Sequence, residues 1–183
     1  MDNFLKFLIV AILLIIAAVA ITIFLKDVNK KNNIKKMYFE IESFLQGLIP
    51  EDKKDSIILE KEFKPEYDYA FKTEEYTYLI KVIPNMANEE ICVNNSVKWQ
   101  LRRSFNDESM RFVENVEGLM RLDCDSKFKK LYIIYPNARS LLKYINECEM
   151  VFVNPDTDVY GANIVSFLQL KENPNLLKII KEM

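Results

Sequence analysis

The chain has no histidine. That excludes histidine-based nucleophilic triads, histidine-ligated zinc and imidazole general bases together. Glycine is almost as scarce, with only Gly47, Gly118 and Gly161, far apart from one another. A P-loop or a dinucleotide fingerprint needs clustered glycines so that backbone can approach phosphate, so neither is present. Three cysteines, Cys92, Cys124 and Cys148, are widely spaced and form no C-x-x-C pair. A zinc knuckle and a dithiol redox centre are thereby excluded, and unpaired thiols suit a reducing compartment. Basic charge is also in short supply. Beyond residue 36 the chain carries 19 basic and 25 acidic residues, a net charge of −6. Nucleic-acid binders show a basic surplus, so nucleic acid is not an expected partner. A local basic group such as Lys98, Arg102 and Arg103 reads as a solvated helix face.

What the chain does have is a long apolar run. Residues 7–25, FLIVAILLIIAAVAITIFL, contain no charge and a single hydroxyl, Thr22. Nineteen residues at ~1.5 Å each make roughly 28 Å of helix, enough for a hydrocarbon core of about 30 Å. Residues 4–25 are therefore expected to be a transmembrane helix, residues 26–33 a basic juxtamembrane linker, and residues 34–183 one α/β domain. Lys26, Lys30, Lys31, Lys35 and Lys36 follow the run against a single Asp27, while only Lys6, offset by Asp2, precedes it. Lysines beside a span stay on the cytoplasmic side, which puts the N-terminus outside and the domain inside, in a cell membrane. The same lysines can sit against anionic headgroups, making the bilayer itself a partner. Ala18-Val19-Ala20 has the form of a signal-peptidase site, but it lies inside the apolar run and would leave a greasy stub, so an anchor is the expectation. Asn94-Asn95-Ser96 matches a glycosylation sequon, which a cytoplasmic domain would never present to the transferase.

Along the domain, Ile34, Met37, Tyr38, Ile41, Phe44, Leu45 and Leu48 follow helical spacing, stopped by Gly47 and Pro50. Strands are expected at residues 56–63, 67–72 and 76–83, the last two as a hairpin ended by Pro84. Counting outward from its turn pairs Lys72 with Thr77, Ala70 with Leu79 and Asp68 with Lys81. A helix capped by Ser96 is expected over 97–104, and another around 109–119. Residues 130–135 and 150–153 read as apolar strands, with a helix over 139–147 between them. That makes a right-handed βαβ unit whose Leu131, Ile133, Leu141, Leu142, Ile145, Val151 and Val153 are expected to be buried together. A last helix is expected over 174–181, capped by Asn173. The aromatics Phe63, Tyr67, Tyr69, Phe71, Tyr76, Tyr78 and Trp99 read as core rather than as a base-stacking platform. Asp156-Thr157-Asp158 lacks the glycine and glutamate of a calcium loop and reads as a turn.

The resulting order, helix-β-β-β-helix-β-helix-β, resembles the core of the PD-(D/E)xK, or restriction-endonuclease-like, superfamily. Members of that family place an aspartate near the start of the second strand and a (D/E)-x-K on the third. The matching positions are Asp68, in Pro65-Glu66-Tyr67-Asp68, and Lys81, in Leu79-Ile80-Lys81. The resemblance implies a magnesium-dependent nuclease in which two carboxylates hold the metal and the lysine helps activate water. Leu79, however, stands where the second carboxylate belongs, and a leucine cannot bind a hard cation. A migrated ligand would come from Glu42, Glu62 or Gln100. The expectation is thus a membrane-anchored, non-catalytic interaction module with a protein partner and no cofactor. The alternative is a membrane-tethered nuclease using Asp68, Lys81 and magnesium.

Overall fold

The structure is a computed structural model; it describes residues 3–73, 75–104, 111–146 and 149–176. The protein is mixed α/β, with a long apolar N-terminal helix and two mixed β-sheets. Two compact units divide the chain, Met1–Glu40 and Ile41–Met183. Helix α1 runs Asn3–Gly47 and ends where Gly47 and Pro50 were expected to stop it. Among the described residues, one helix is long and apolar enough to cross a membrane, and its most apolar window is not buried at all. Residues 26–33, expected as a linker, are helical and continue α1.

The second unit is built on two sheets. Strands β1 (Ile58–Lys61), β2 (Tyr69–Lys72) and β3 (Thr77–Pro84) form an antiparallel meander. β7 (Phe128–Tyr135) and β10 (Ala162–Ser166) then add in parallel, giving the order β1-β2-β3-β7-β10. The second sheet has the order β6-β5-β4-β8-β9. Its strands are β4 (Glu90–Val93), β5 (Trp99–Arg102), β6 (Arg111–Phe112), β8 (Leu141–Asn146) and β9 (Glu149–Phe152). Only β4 and β8 are parallel within it.

Alternation explains the layering. Ala70, Leu79, Ile83, Tyr132, Ile134 and Ile164 of the first sheet meet Ile91, Val93, Trp99 and Val153 of the second in one buried cluster. The short helix α2 (Glu117–Arg121) adds Leu119 and Met120 to it. Trp99 packs on Tyr132 with ring centroids 4.7 Å apart, and the Tyr132 hydroxyl donates to the Val116 carbonyl. Burial drives the Tyr132 phenol well above its ordinary pKa. The intervening residues Tyr69, Phe71, Tyr78, Ile80, Leu131 and Ile133 are buried on the other face. There α3 (Phe167–Glu172) packs on β7 and β10, and its Phe167 takes Phe44 edge-on at 5.5 Å.

Three expected helices are corrected. Where a helix was expected over 97–104, Trp99–Arg102 form strand β5, because Asn95 folds the chain back by accepting from the Val97 and Lys98 amides. Trp99 is then fully buried and Gln100 faces the other way, a period of two rather than 3.6. Residues 139–147 contain strand β8, so the βαβ unit does not exist. β7 lies in the first sheet, and β8 pairs antiparallel with β9 in the second. Leu131 and Ile133 are buried on the helix-covered face, while Ile145 and Val151 are exposed; the seven residues do not form one cluster. Around 109–119 the described part holds β6 and only the first residues of α2, and 105–110 lie outside the described residues. Asn173 is the C-terminal cap of α3; of the helix expected over 174–181, Leu176 is helical, its amide donating to the Asn173 carbonyl at 3.1 Å, and residues 177–181 lie outside the described residues. The element order of the sequence reading is thereby replaced by two sheets with short helices.

Candidate functional site: a sealed Asp68–Lys81 pair

The hairpin register is the expected one, with Lys72 opposite Thr77 and Ala70 opposite Leu79. One step further out, the Lys81 ammonium lies 3.5 Å from Asp68 Oδ1, and both side chains are buried (10% and 5% exposed). The loop from β1 to β2 closes over them. The Glu62 and Phe63 amides both donate to the Asp68 carbonyl, and Phe63 turns in the left-handed region at φ 45°. That turn carries the Lys64 and Pro65 carbonyls over Lys81, whose ammonium donates to Pro65 at 3.1 Å and to Lys64 at 3.5 Å. The other Asp68 oxygen accepts from the Val82 amide at 2.7 Å. Gly118 makes the lid fit: a Cβ there would stand 3.0 Å from Glu66 Cα and 3.2 Å from the Pro65 oxygen. Both obstacles are backbone, so α2 can approach the loop only through a glycine.

The residues considered as migrated metal ligands are engaged elsewhere. Glu42 pairs with Lys61, Glu62 with Lys64 and the Tyr67 hydroxyl, and the Gln100 carboxamide accepts from Arg102. The Lys64 ammonium holds the Glu62 carboxyl below its ordinary pKa. Leu79 is buried in the inter-sheet cluster. Among the described residues, no group of three or more Asp, Glu, Cys or His side chains could hold a metal ion.

The basic group on β5 is woven into a network that sequence reasoning missed. Buried Glu89 takes Arg111 at 2.7 Å and Arg103 at 3.4 Å. Buried Glu90 takes Ser140 and, at 3.9 Å, Arg102, which also donates to the Tyr144 hydroxyl. Lys98 lies over the Phe112 ring at 4.5 Å. The signal was available: Glu89-Glu90 and Arg102-Arg103 flank the Asn94-Asn95 turn at spacings that a hairpin brings together. Cys92 lies beside Glu90 with no exposed surface, and burial pushes its thiol up to about 11.

The five lysines after the apolar run, Lys26, Lys30, Lys31, Lys35 and Lys36, are all exposed on α1. At about 100° per residue they point all round the helix, forming a collar rather than a stripe. Among the described residues, Lys31 pairs with Asp27 at 2.8 Å and Lys36 with Glu40 at 3.7 Å. Asp156-Thr157-Asp158 forms turns, in which Asp158 accepts from the Gly161 amide. Tyr160 and Gly161, at φ 56° and 81°, then make the two-residue turn into β10.

Fold and site together define a two-sheet α/β domain in which the buried Asp68–Lys81 pair is closed off by the loop from β1 to β2. Comparison with known proteins gives no match to any family model, curated protein or solved structure.

Proposed function

We propose that this chain is a single-span membrane protein, N-terminus outside, whose domain on the cytoplasmic side is a non-catalytic interaction module for a protein partner. The observation that carries the proposal is the exposed apolar helix run followed by its lysine collar. Nineteen uncharged residues left in water would cost far more than their burial in lipid, and lysines all round the helix can reach headgroups in every direction. The saturation of Asp68 and Lys81 by backbone groups supports a structural role for that pair. The test is alkaline carbonate extraction of membranes from cells making the full chain. The chain stays in the pellet, and a Leu14→Lys, Ile15→Lys variant is released; release of the unaltered chain contradicts anchoring.

A second reading, a metal-dependent nuclease, is favoured by the direct neighbouring of Asp68 and Lys81 that the family resemblance asks for. It requires a further acidic oxygen to converge on the pair. Manganese titration of the full chain in detergent, with plasmid cleavage as a parallel readout, separates the two. Saturable binding and cleavage, both lost in Asp68→Asn, would favour the nuclease.

A further inference from the structure

A cavity of about 260 Å³ opens where the parallel strands β7 and β10 end, between the two sheets. Ile134 and Ser166, register partners at those strand ends, form part of its wall. In open sheets with parallel strands, the crevice beyond the carboxyl ends is where ligands are received. Leu141, Val153 and Phe152 supply its apolar side, and Phe152 is 72% exposed. Its polar side holds Arg139, Asn137 and Asn154.

Three observations give the cavity a sign. First, the chain has five arginines, and Arg102, Arg103, Arg111 and Arg121 each pair with a glutamate. Arg139 has no carboxylate partner among the described residues; its guanidinium donates only to the Arg103 carbonyl, which leaves most of its five donors open. Second, the side-chain amides of Asn137 and Asn154 make no hydrogen bond among the described residues, so they too are available as donors. Third, none of the described residues lining the cavity is an aspartate or a glutamate, although the chain as a whole is acidic. Free donors, one unpaired guanidinium and an apolar wall suit a carboxylate attached to an apolar group, because guanidinium matches carboxylate in a two-pronged geometry.

We infer that this crevice binds a small apolar carboxylate, with Arg139 as its anchor. The volume lies just below the ~300–1,000 Å³ usual for small-molecule sites, so the occupant is a short organic acid or the terminal residue of a peptide. A peptide source is compatible with the neighbouring edge strand: β9 ends its sheet, and its Phe152 borders the cavity. The inference does not depend on the membrane anchor.

The test uses the full chain in detergent micelles, followed by NMR of side-chain amide and guanidinium signals during titration. The probes are 3-phenylpropionate, 3-phenylpropionamide, and the peptide acetyl-Ala-Ala-Val-Phe with a free or an amidated C-terminus. One or both free acids should shift the signals of Arg139, Asn137 and Asn154 saturably, and the two amides should bind at least tenfold more weakly. Arg139→Gln should weaken the acid at least tenfold. Asn154→Asp, an exposed change that brings a like charge to the wall, should do so as well. Tighter binding of the peptide acid than of 3-phenylpropionate assigns the site to peptide termini; the reverse order assigns it to free acids. Absence of saturable binding by either acid, equal binding of the amides, or affinity unchanged in Arg139→Gln overturns the inference.

Discussion

If Asp68 and Lys81 are a sealed structural pair, their energies must be strongly coupled. The charged atoms are 3.5 Å apart and the side chains 10% and 5% exposed, so the rules for buried rather than surface pairs apply. At an effective dielectric constant near 20, Coulomb attraction at that distance is about 5 kcal/mol. Desolvation offsets much of it, but removing one partner leaves the other charge stranded. Lys81→Met removes the ammonium that faces the buried Asp68 carboxylate; Asp68→Asn leaves the ammonium with the Lys64 and Pro65 carbonyls. Each single change should cost about 3–5 kcal/mol. The double variant keeps no buried charge and should cost less than the two losses combined, by about 2 kcal/mol or more, within the range of coupled neighbours. Urea unfolding of the full chain in mild detergent measures this, with fluorescence of the single, fully buried Trp99 as the readout. A coupling below about 0.5 kcal/mol, the level of independent sites, would refute the sealed-pair account.

The other predictions concern what surrounds the pair. Gly118→Ala should destabilise by about 1–3 kcal/mol, since its Cβ meets backbone at 3.0 Å. Gly47→Ala, with nothing within 4 Å, should be neutral or gain up to ~1 kcal/mol, and thermal melts compare the two. Tyr132→Phe should cost about 1–3 kcal/mol by leaving the Val116 carbonyl without its buried donor. Cys92 has an acid pKa raised from 9.0 to about 11, so the unfolded thiol ionises first. Its contribution is intact below pH 9 and is lost as pH rises towards 11. Urea midpoints of the unaltered chain should therefore fall more steeply across that window than those of Cys92→Ala; parallel pH curves would contradict this.

The elements legible in the sequence were those whose pattern is set by local chemistry. The hairpin of β2 and β3 was readable because Tyr69 and Phe71 could share a face with Tyr78, Ile80 and Val82 in only one register. The second sheet was not readable. Leu141, Leu142 and Ile145 fit a helical stripe as well as a strand, and the choice was made by β4 and β9, which offer pairing partners on both sides. Val97, Trp99 and Leu101 presented the same ambiguity, resolved by the Asn95 turn. Helix α3 carried a signature that was overlooked, the Ser166-x-x-Gln169 capping box. Asp68 and Lys81 were placed as neighbours from register counting, but their closure by the Lys64 and Pro65 carbonyls depends on the loop and on Gly118, which no local pattern announces. Arg139 escaped notice because the residues after it were read as helix; a cation lining a crevice is visible only once β8 is a strand.

The central claim is an anchored domain on the lysine-bearing side of the membrane, and sidedness tests it most directly. A reporter enzyme that works only outside the cell, fused after Met183, should be inactive while the fusion is present in the membrane fraction. Replacing Lys26, Lys30, Lys31, Lys35 and Lys36 by glutamine should raise its activity, because the retention signal is removed. Full reporter activity in the fusion with all five lysines in place would contradict the account.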